Sequence, residues 1–348
     1  MHTSSKSLSL LARGQVLIQL TGAGLGLTSG LAVLANFLRT LPGFNLFSPL
    51  ILAIVLGILV RNTFGVSPIF KQGIMFSLKK VLRLGIILLG IQLSLTEITQ
   101  VGAAGLFIVV ATMVATFLFT CWLGKRLGIN RQLTHLVAMG TTICGASAIV
   151  AGNTVVEGTD EDVAYAVGVI TTFGTASLVV YPLLFSVLNL TPEMFGIWCG
   201  ASIHEVAQAI AAAFQGGMVS GQIGTVAKLS RVVFLAPSIL LLGLLSAKLK
   251  SQQAGTTQSL SLKQLPIPWF LLGFIIILVL NSFNFFPENF KTFVVQGNQI
   301  ILAIALAAMG LETSLLRIVR TGIKPLYLGF ASWLFVSLFS LGLIQLLA

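Results

Sequence analysis

Two short stretches of this chain hold residue types whose spacing could do chemistry. The first is Thr141-Thr142-Ile143-Cys144-Gly145-Ala146-Ser147, hydroxyls and a thiol set among small residues between apolar flanks. The second is Gly200-Ala201-Ser202-Ile203-His204-Glu205-Val206-Ala207-Gln208. His204 and Gln208 are four apart and share a helical face, with Glu205 about a third of a turn round. Shortly after come Lys228 and Arg231, ahead of Ala236-Pro237. The chemistry on offer is binding and proton exchange. Backbone N–H groups at a helix break, hydroxyls and a guanidinium fork suit an oxyanion. His204 and Glu205 can both titrate. The candidate binding residues are therefore Thr141, Thr142, Cys144, Gly145, Ser147, Ser202, Gln208 and Arg231, with His204 and Glu205 as the proton-coupling pair.

Bond-making chemistry finds less support. Ser147 lacks a G-x-S-x-G context, and only Ser147 or Ser202 with His204 could form a nucleophile–base pair. There is no H-E-x-x-H and no phosphate-binding P-loop. Cys121, Cys144 and Cys199 lie in apolar runs without C-x-x-C spacing, which reads as buried thiols rather than a metal site. His2 is terminal, and His135 stands alone near Arg131. The expectation is a protein that is not an enzyme and takes no metal or cofactor.

The elements that must position these residues follow from composition. Of 348 residues, 56% are hydrophobic and 8% charged, and the mean hydropathy is +1.01, which excludes a soluble domain. Apolar runs fall at 16–38, 46–61, 81–96, 102–124, 133–153, 162–188, 194–215, 230–247, 268–284, 294–312 and 325–347. Most approach the roughly 20 residues that cross a bilayer. The expected fold class is an all-α polytopic membrane protein with about 11 transmembrane helices, or 10 if segments re-enter, built as inverted repeats with broken helices at the centre. Gly140 and Gly145 bracket the first break; freed backbone groups are tolerated at membrane depth only in protein or facing a cavity. The net charge of +11 reads as basic loops on the cytoplasmic side, not as nucleic-acid binding.

The short basic N-terminus precedes a retained first helix rather than a cleaved signal. A cytoplasmic N-terminus places Arg61, Lys71, Lys79, Lys80, Lys125, Arg126, Arg131, Lys248, Lys250, Lys263, Arg317, Arg320 and Lys324 inside. Glu97, Glu288 and the acidic group Glu157, Asp160, Glu161 and Asp162 then fall outside. Re-entrant hairpins at 133–153 and 194–215 would leave the later loops on the same sides, so charge does not choose between the two drawings. Lys79, Lys80 and Arg83 read as an anchor preceding the third helix, and Glu312 as an interfacial carboxylate near Arg317. Asn153 and Thr154 either line the cavity or cap a helix end.

An internal repeat organises the chain. Gly90-Ile91-Gln92-Leu93-Ser94-Leu95 matches Gly310-Leu311-Glu312-Thr313-Ser314-Leu315, and Gly102 matches Gly322. The same offset lays the run at 46–61 on that at 268–284. Copies separated by an odd number of crossings run in opposite senses, the pattern of alternating-access transporters. The expected division is an N-terminal segment and extra helix at 1–45, a first repeat at 46–190, and a second at 191–348 with a linker near 248–268.

The runs TTICGASAIVAGNTVV, GASIHEVAQAIAAAF, KLSRVVFLAP and LRLGIILLGIQLS together resemble the YeiH-type family of bacterial inner-membrane proteins, to which sulfate export is ascribed. The resemblance runs from about Leu46 to the C-terminus. It implies a multi-pass protein of the bacterial plasma membrane, similar in architecture to sodium/proton antiporters and bile-acid symporters. It implies sulfate or related sulfur oxyanions as substrates, and supports Cys144, Gly145, Ser147, His204, Glu205, Gln208 and Arg231 as motif positions. Where the family often has a proline beyond the ICG motif, this chain has Asn153-Thr154.

The expected function is secondary transport of a small inorganic anion, in the export direction, with Glu205 and His204 as the route for proton coupling. A divalent anion leaving a negative interior gains about 4.6 kcal/mol per 100 mV, so no ATPase is needed. The alternatives are a cation/proton antiporter, in which Glu205 holds the ion and Arg231 is structural, and a passive anion channel. The expected partners are the anion, protons and the lipid bilayer, with no nucleic acid; a homodimer is a compatible assembly.

Overall fold

The computed structural model describes residues 4–41, 44, 47–93, 95–235, 237–243, 269–314 and 323–347, with the side chains of 4–20 and 95–101 left out. All regular structure among them is helical, and six helical stretches are long and apolar enough to cross a membrane: Thr21–Leu38, Gly102–Arg126, Asp160–Val187, Met218–Gly243, Glu288–Glu312 and Ile323–Leu347. The protein is an all-α polytopic membrane protein. The proposed linker at 248–268, the repeat positions Ser94, Leu315 and Gly322, and the basic residues Arg317 and Arg320 lie outside the described residues.

Contacts divide the chain into two compact units, Met1–Gln92 with Gly273–Leu316, and Leu93–Leu272 with Arg317–Ala348. This partition by packing is distinct from the partition by repeat at residues 45 and 190, which concerns descent.

The first unit contains α1 (Ser4–Leu38), α2 (Pro49–Thr63), α3 (Pro68–Phe76), α4 (Leu82–Leu89), most of α12 (Trp269–Ser282) and α13 (Glu288–Glu312). The chain turns into α2 and α3 through Ser48-Pro49 and Ser67-Pro68, where a fixed φ and a missing N–H suit the first helical position. A π-turn at Ser77–Val81 joins α3 to α4 without a gap, so Lys79 and Lys80 lie within a helical stretch rather than ahead of one starting near 81. Helices here meet backbone to backbone. A Cβ on Gly24 would strike α3 at Gly73, and one on Gly57 would strike α13 at Ala307 and Gly310. Thr28 and Ser77 share a buried hydrogen bond of 3.0 Å.

The repeat has a counterpart in these contacts. Gly90 rests on the α12 backbone at Phe274 and Leu278. Gly310, its match, rests on α2 at Ile54 and Ile58, which stand one repeat length before Phe274 and Leu278. Each copy packs on the other in the same way, the reciprocity of a twofold relation.

The second unit holds α5 (Leu95–Arg126), α8 (Asp160–Val187), α11 (Met218–Val233) and α14 (Ile323–Leu347), with two pairs of shorter helices. α5 is interrupted at Gly102, where φ is +62°. The first pair is α6 (Arg131–Thr142) and α7 (Ala146–Val156). Gly152 abuts Met139 and Gly158 abuts Leu136, so α7 folds back along α6. The second is α9 (Pro192–Ser202) and α10 (Val206–Ala213). Gly216, just beyond α10, meets Phe195 at the start of α9. Both stretches are helical hairpins.

α8 acts as a ruler for both. Ala166 and Ile170, near its start, pack with Leu133 and Leu136 at the foot of the first hairpin. Gly174 and Thr175, near its middle, meet Gln208. Tyr181 stacks on Trp198 at 3.9 Å and Phe185 on Phe195 at 4.4 Å, at the foot of the second hairpin. The hairpins thus enter from opposite ends of α8, and their tips meet between. Asn130, ahead of the first hairpin, donates to Asp162 at 2.9 Å, and Asp162 completes a capping box with Thr159. That bond corrects one expectation: the acidic group at 157–162 lies on the same side as Lys125, Arg126 and Arg131, not opposite.

Candidate functional site

At the first tip, α6 ends at Thr142 and Gly145 takes φ +76°, a conformation that favours glycine, before α7 begins at Ala146. At the second, Ile203 (φ −66°, ψ 138°) and Glu205 (φ −85°, ψ 144°) are extended between α9 and α10. Each tip therefore presents the carbonyl end of one helix and the N–H end of the next.

α11 lies against both. Its Arg231 is fully buried and donates to five carbonyls: Thr141 (2.6 Å) and Thr142 (2.8 Å) on the first hairpin, and Gly200 (3.1 Å), Ala201 (2.8 Å) and Ile203 (3.1 Å) on the second. Lys228, one turn earlier and equally buried, donates to Ile143 (2.9 Å), Ile203 (2.7 Å) and His204 (2.5 Å). Two cations thus bind the carbonyl ends of α6 and α9, where the helix dipole is negative. Glycine makes the approach possible, since a Cβ on Gly200 would overlap α11 at Ala227 and Lys228.

The N–H end of α7 takes a carboxylate instead. Glu205, half-buried, accepts from the Ala146 N–H at 2.6 Å, and the bare Cα of Gly145 leaves room for the carboxylate. His204 is fully buried, and neither ring nitrogen has a hydrogen-bond partner. Gln208 donates to Thr175 at 3.1 Å while its Oε1 has none.

The remaining candidates are placed as follows. The Thr141 and Thr142 hydroxyls donate within α6, to Val137 (2.9 Å) and Ala138 (2.8 Å), and their carbonyls serve Arg231. The Ser202 hydroxyl turns back to Trp198 at 2.5 Å. Cys144 is buried in the first tip, and Ser147 is exposed on α7. The structure brings Thr141, Thr142, Gly145, His204, Glu205 and Arg231 into one junction, while Ser147 faces away from the buried interior. Arg231 directs its fork at backbone rather than at open space. Lys228 is the residue that sequence reasoning named beside Arg231 without giving it a role. It reads as the foot of a helix starting near 230, yet α11 begins at Met218, which puts the lysine deep in the span Met218–Gly243. The available signal was Lys228 and Arg231 three apart on one face amid small and apolar residues.

The family model described as "Conserved hypothetical protein 698" matches residues 23–329, both hairpins and α11 included. A UPF0324 membrane protein of Pasteurella multocida is 40% identical over 310 residues, covering 86% of this chain and 89% of its own. The chain belongs to the UPF0324 membrane protein family. A second UPF0324 membrane protein, from Yersinia pestis, is 37% identical over 316 residues, 88% of this chain and 87% of the relative. A UPF0324 inner membrane protein YeiH of Salmonella typhi is 36% identical over 299 residues, 83% and 84% of the two chains. Every residue of the junction lies inside the span that this family model matches.

Proposed function

We propose that this protein is a secondary transporter of a small inorganic anion, with sulfate or a related sulfur oxyanion as the substrate class, moved outward. The observation that carries the reading is the charge left at the meeting of the two hairpins. Lys228 and Arg231 offset the negative ends of α6 and α9, the positive ends of α7 and α10 remain, and one carboxylate, Glu205, stands against them. That balance favours an anion at membrane depth, where unneutralised charge is costly and is kept for function. Broken helices around a central site are the usual ground plan of secondary carriers.

Glu205 serves as the proton-coupling group in this reading, with His204 beside it. While ionised, Glu205 holds the α7 N-terminus against a second anion; once protonated, it yields that end. Gln208 and the Ala146 N–H contribute donors to the bound anion. A plasma-membrane location with a cytoplasmic N-terminus fits the inner-membrane naming of the Salmonella relative and the basic loops. No catalytic step is involved.

Counterflow of labelled sulfate and sulfite in proteoliposomes across a pH range, with Glu205→Gln in parallel, tests this. Saturable uptake that varies with pH in the wild type and loses that variation in Glu205→Gln supports both parts. Uptake unchanged in the variant removes the coupling role and leaves the carrier. The same Glu205 carboxylate is what a cation/proton antiporter would need, so proton movement on adding sodium or potassium, without anion flux, would transfer the case to that reading.

A further inference from the structure

Lys228 is set in surroundings that fit an ion better than a side chain. Its nitrogen lies at three backbone carbonyls drawn from both hairpins, Ile143 on one and Ile203 and His204 on the other. An ammonium has three N–H groups, and all three are used. Among the described residues, every hydrogen bond of this lysine goes to a backbone carbonyl, none to a carboxylate. The group is wholly buried, well inside the span Met218–Gly243, so it does not reach an interface. Carbonyls from unwound backbone and helix C-terminal ends are how carriers of broken-helix design coordinate sodium, and how filters coordinate potassium.

Arg231, one turn away, shows the contrast. Its planar fork spreads over five carbonyls, a shape no free ion has. Lys228 presents a compact point charge at a convergence of carbonyl dipoles.

We propose that Lys228 fills a built-in monovalent-cation site: its tethered ammonium takes the place of a free ion between the two hairpin tips. The protein therefore runs without sodium, and removing the side chain opens the place to sodium, potassium or a small ammonium ion. The inference does not depend on the nature of the transported anion.

The experiment is thermal unfolding of the purified full-length protein in detergent, in sodium, potassium, methylammonium or N-methylglucamine chloride at equal ionic strength. Wild type, Lys228→Ala and Lys228→Met are compared. Lys228→Ala melts lower than wild type in N-methylglucamine and regains several degrees, saturably, with at least one small cation. Wild type and Lys228→Met do not respond, because an ammonium or a thioether already occupies the place. No cation-specific recovery of Lys228→Ala, or an equal saturable response of the wild type, overturns the proposal. Should Lys228→Ala not fold, the wild type decides: a saturable sodium requirement for its stability or flux overturns the proposal, and indifference to sodium in both supports it. Because chloride is the same in every arm and only the cation changes, a failure here leaves the carrier reading intact, and an absence of anion flux leaves this site intact.

Discussion

In the first unit, helices touch through glycine; at the tips of the second, broken backbone touches a lysine and an arginine. Both arrangements bring main chains close in an apolar medium. Gly24 on Gly73 and Gly57 on Gly310 do it by removing side chains, which lets the backbones touch. The second unit uses the same device where α9 lies on α11, at Gly196, Gly200 and Gly224. At the hairpin tips, however, helices end inside the protein, and their carbonyls need donors that no neighbouring helix can supply. Lys228 and Arg231 supply them. Glycine contacts make a scaffold with one arrangement, whereas a cationic staple across two separate hairpins ties together parts that the chain itself leaves free to differ.

The comparison predicts unequal damage. Arg231→Ala takes a donor from five carbonyls, with that of Ile203 keeping Lys228, and buried polar groups left unpaired cost about 1–3 kcal/mol each. The expected outcome is loss of folded protein, read as loss of the monodisperse peak in size exclusion. Recovery at wild-type yield would show that the carbonyls find other donors and that the staple is dispensable. Gly57→Val forces a branched side chain into the α13 backbone, and overpacking costs about 1–3 kcal/mol; a lowered melting temperature with folded protein is expected. Gly310→Ala should lower the melting temperature more than Gly90→Ala, because its Cβ would meet the α2 backbone at Ile54 and Gly57 more closely than the Gly90 Cβ meets α12, where Ile277 stands in the place of Gly57. The reverse order would show that the two contacts do not correspond. The smallest effect belongs to Thr159→Ala, which removes one half of the capping box at the start of α8 and costs about 1 kcal/mol. It should lower the melting temperature slightly and leave counterflow unchanged.

Much of this was legible beforehand, for identifiable reasons. Membrane residence follows from composition. The break at Thr142–Gly145 follows from a helix-weakening glycine among hydroxylated residues. That at Ser202–Glu205 was not read, since the spacing put His204, Glu205 and Gln208 on one helix, whereas α9 ends at Ser202 and α10 starts at Val206, leaving His204 and Glu205 between them. The hairpin character of these segments was not legible. Two runs of about twenty apolar residues look alike whether they cross or fold back, and only contacts such as Gly158 on Leu136 decide. The side of the acidic loop went astray for the same reason, since it inherits its side from the preceding segment. The depth of Lys228 was missed because Ser220, Gly221, Gln222, Gly224 and Thr225 look like loop residues, while in the structure they form the first turns of α11. Arg231 was singled out for its fork, but sequence alone could not say that carbonyls of two distant segments would claim it.

The entry of the hairpins from opposite ends of α8 has an electrical consequence. Voltage across a membrane falls mainly through the thinnest layer of low-dielectric material between the two aqueous phases. Water reaching each tip from its own end of α8 would gather that layer around the tips, where Lys228, Arg231 and Glu205 sit. Moving one elementary charge through the full field is worth about 2.3 kcal/mol per 100 mV. Any displacement of the tips that carries these charges through even part of that drop is felt by the membrane as a capacitive current. A protein built this way would report motion of its hairpin tips directly to an electrode.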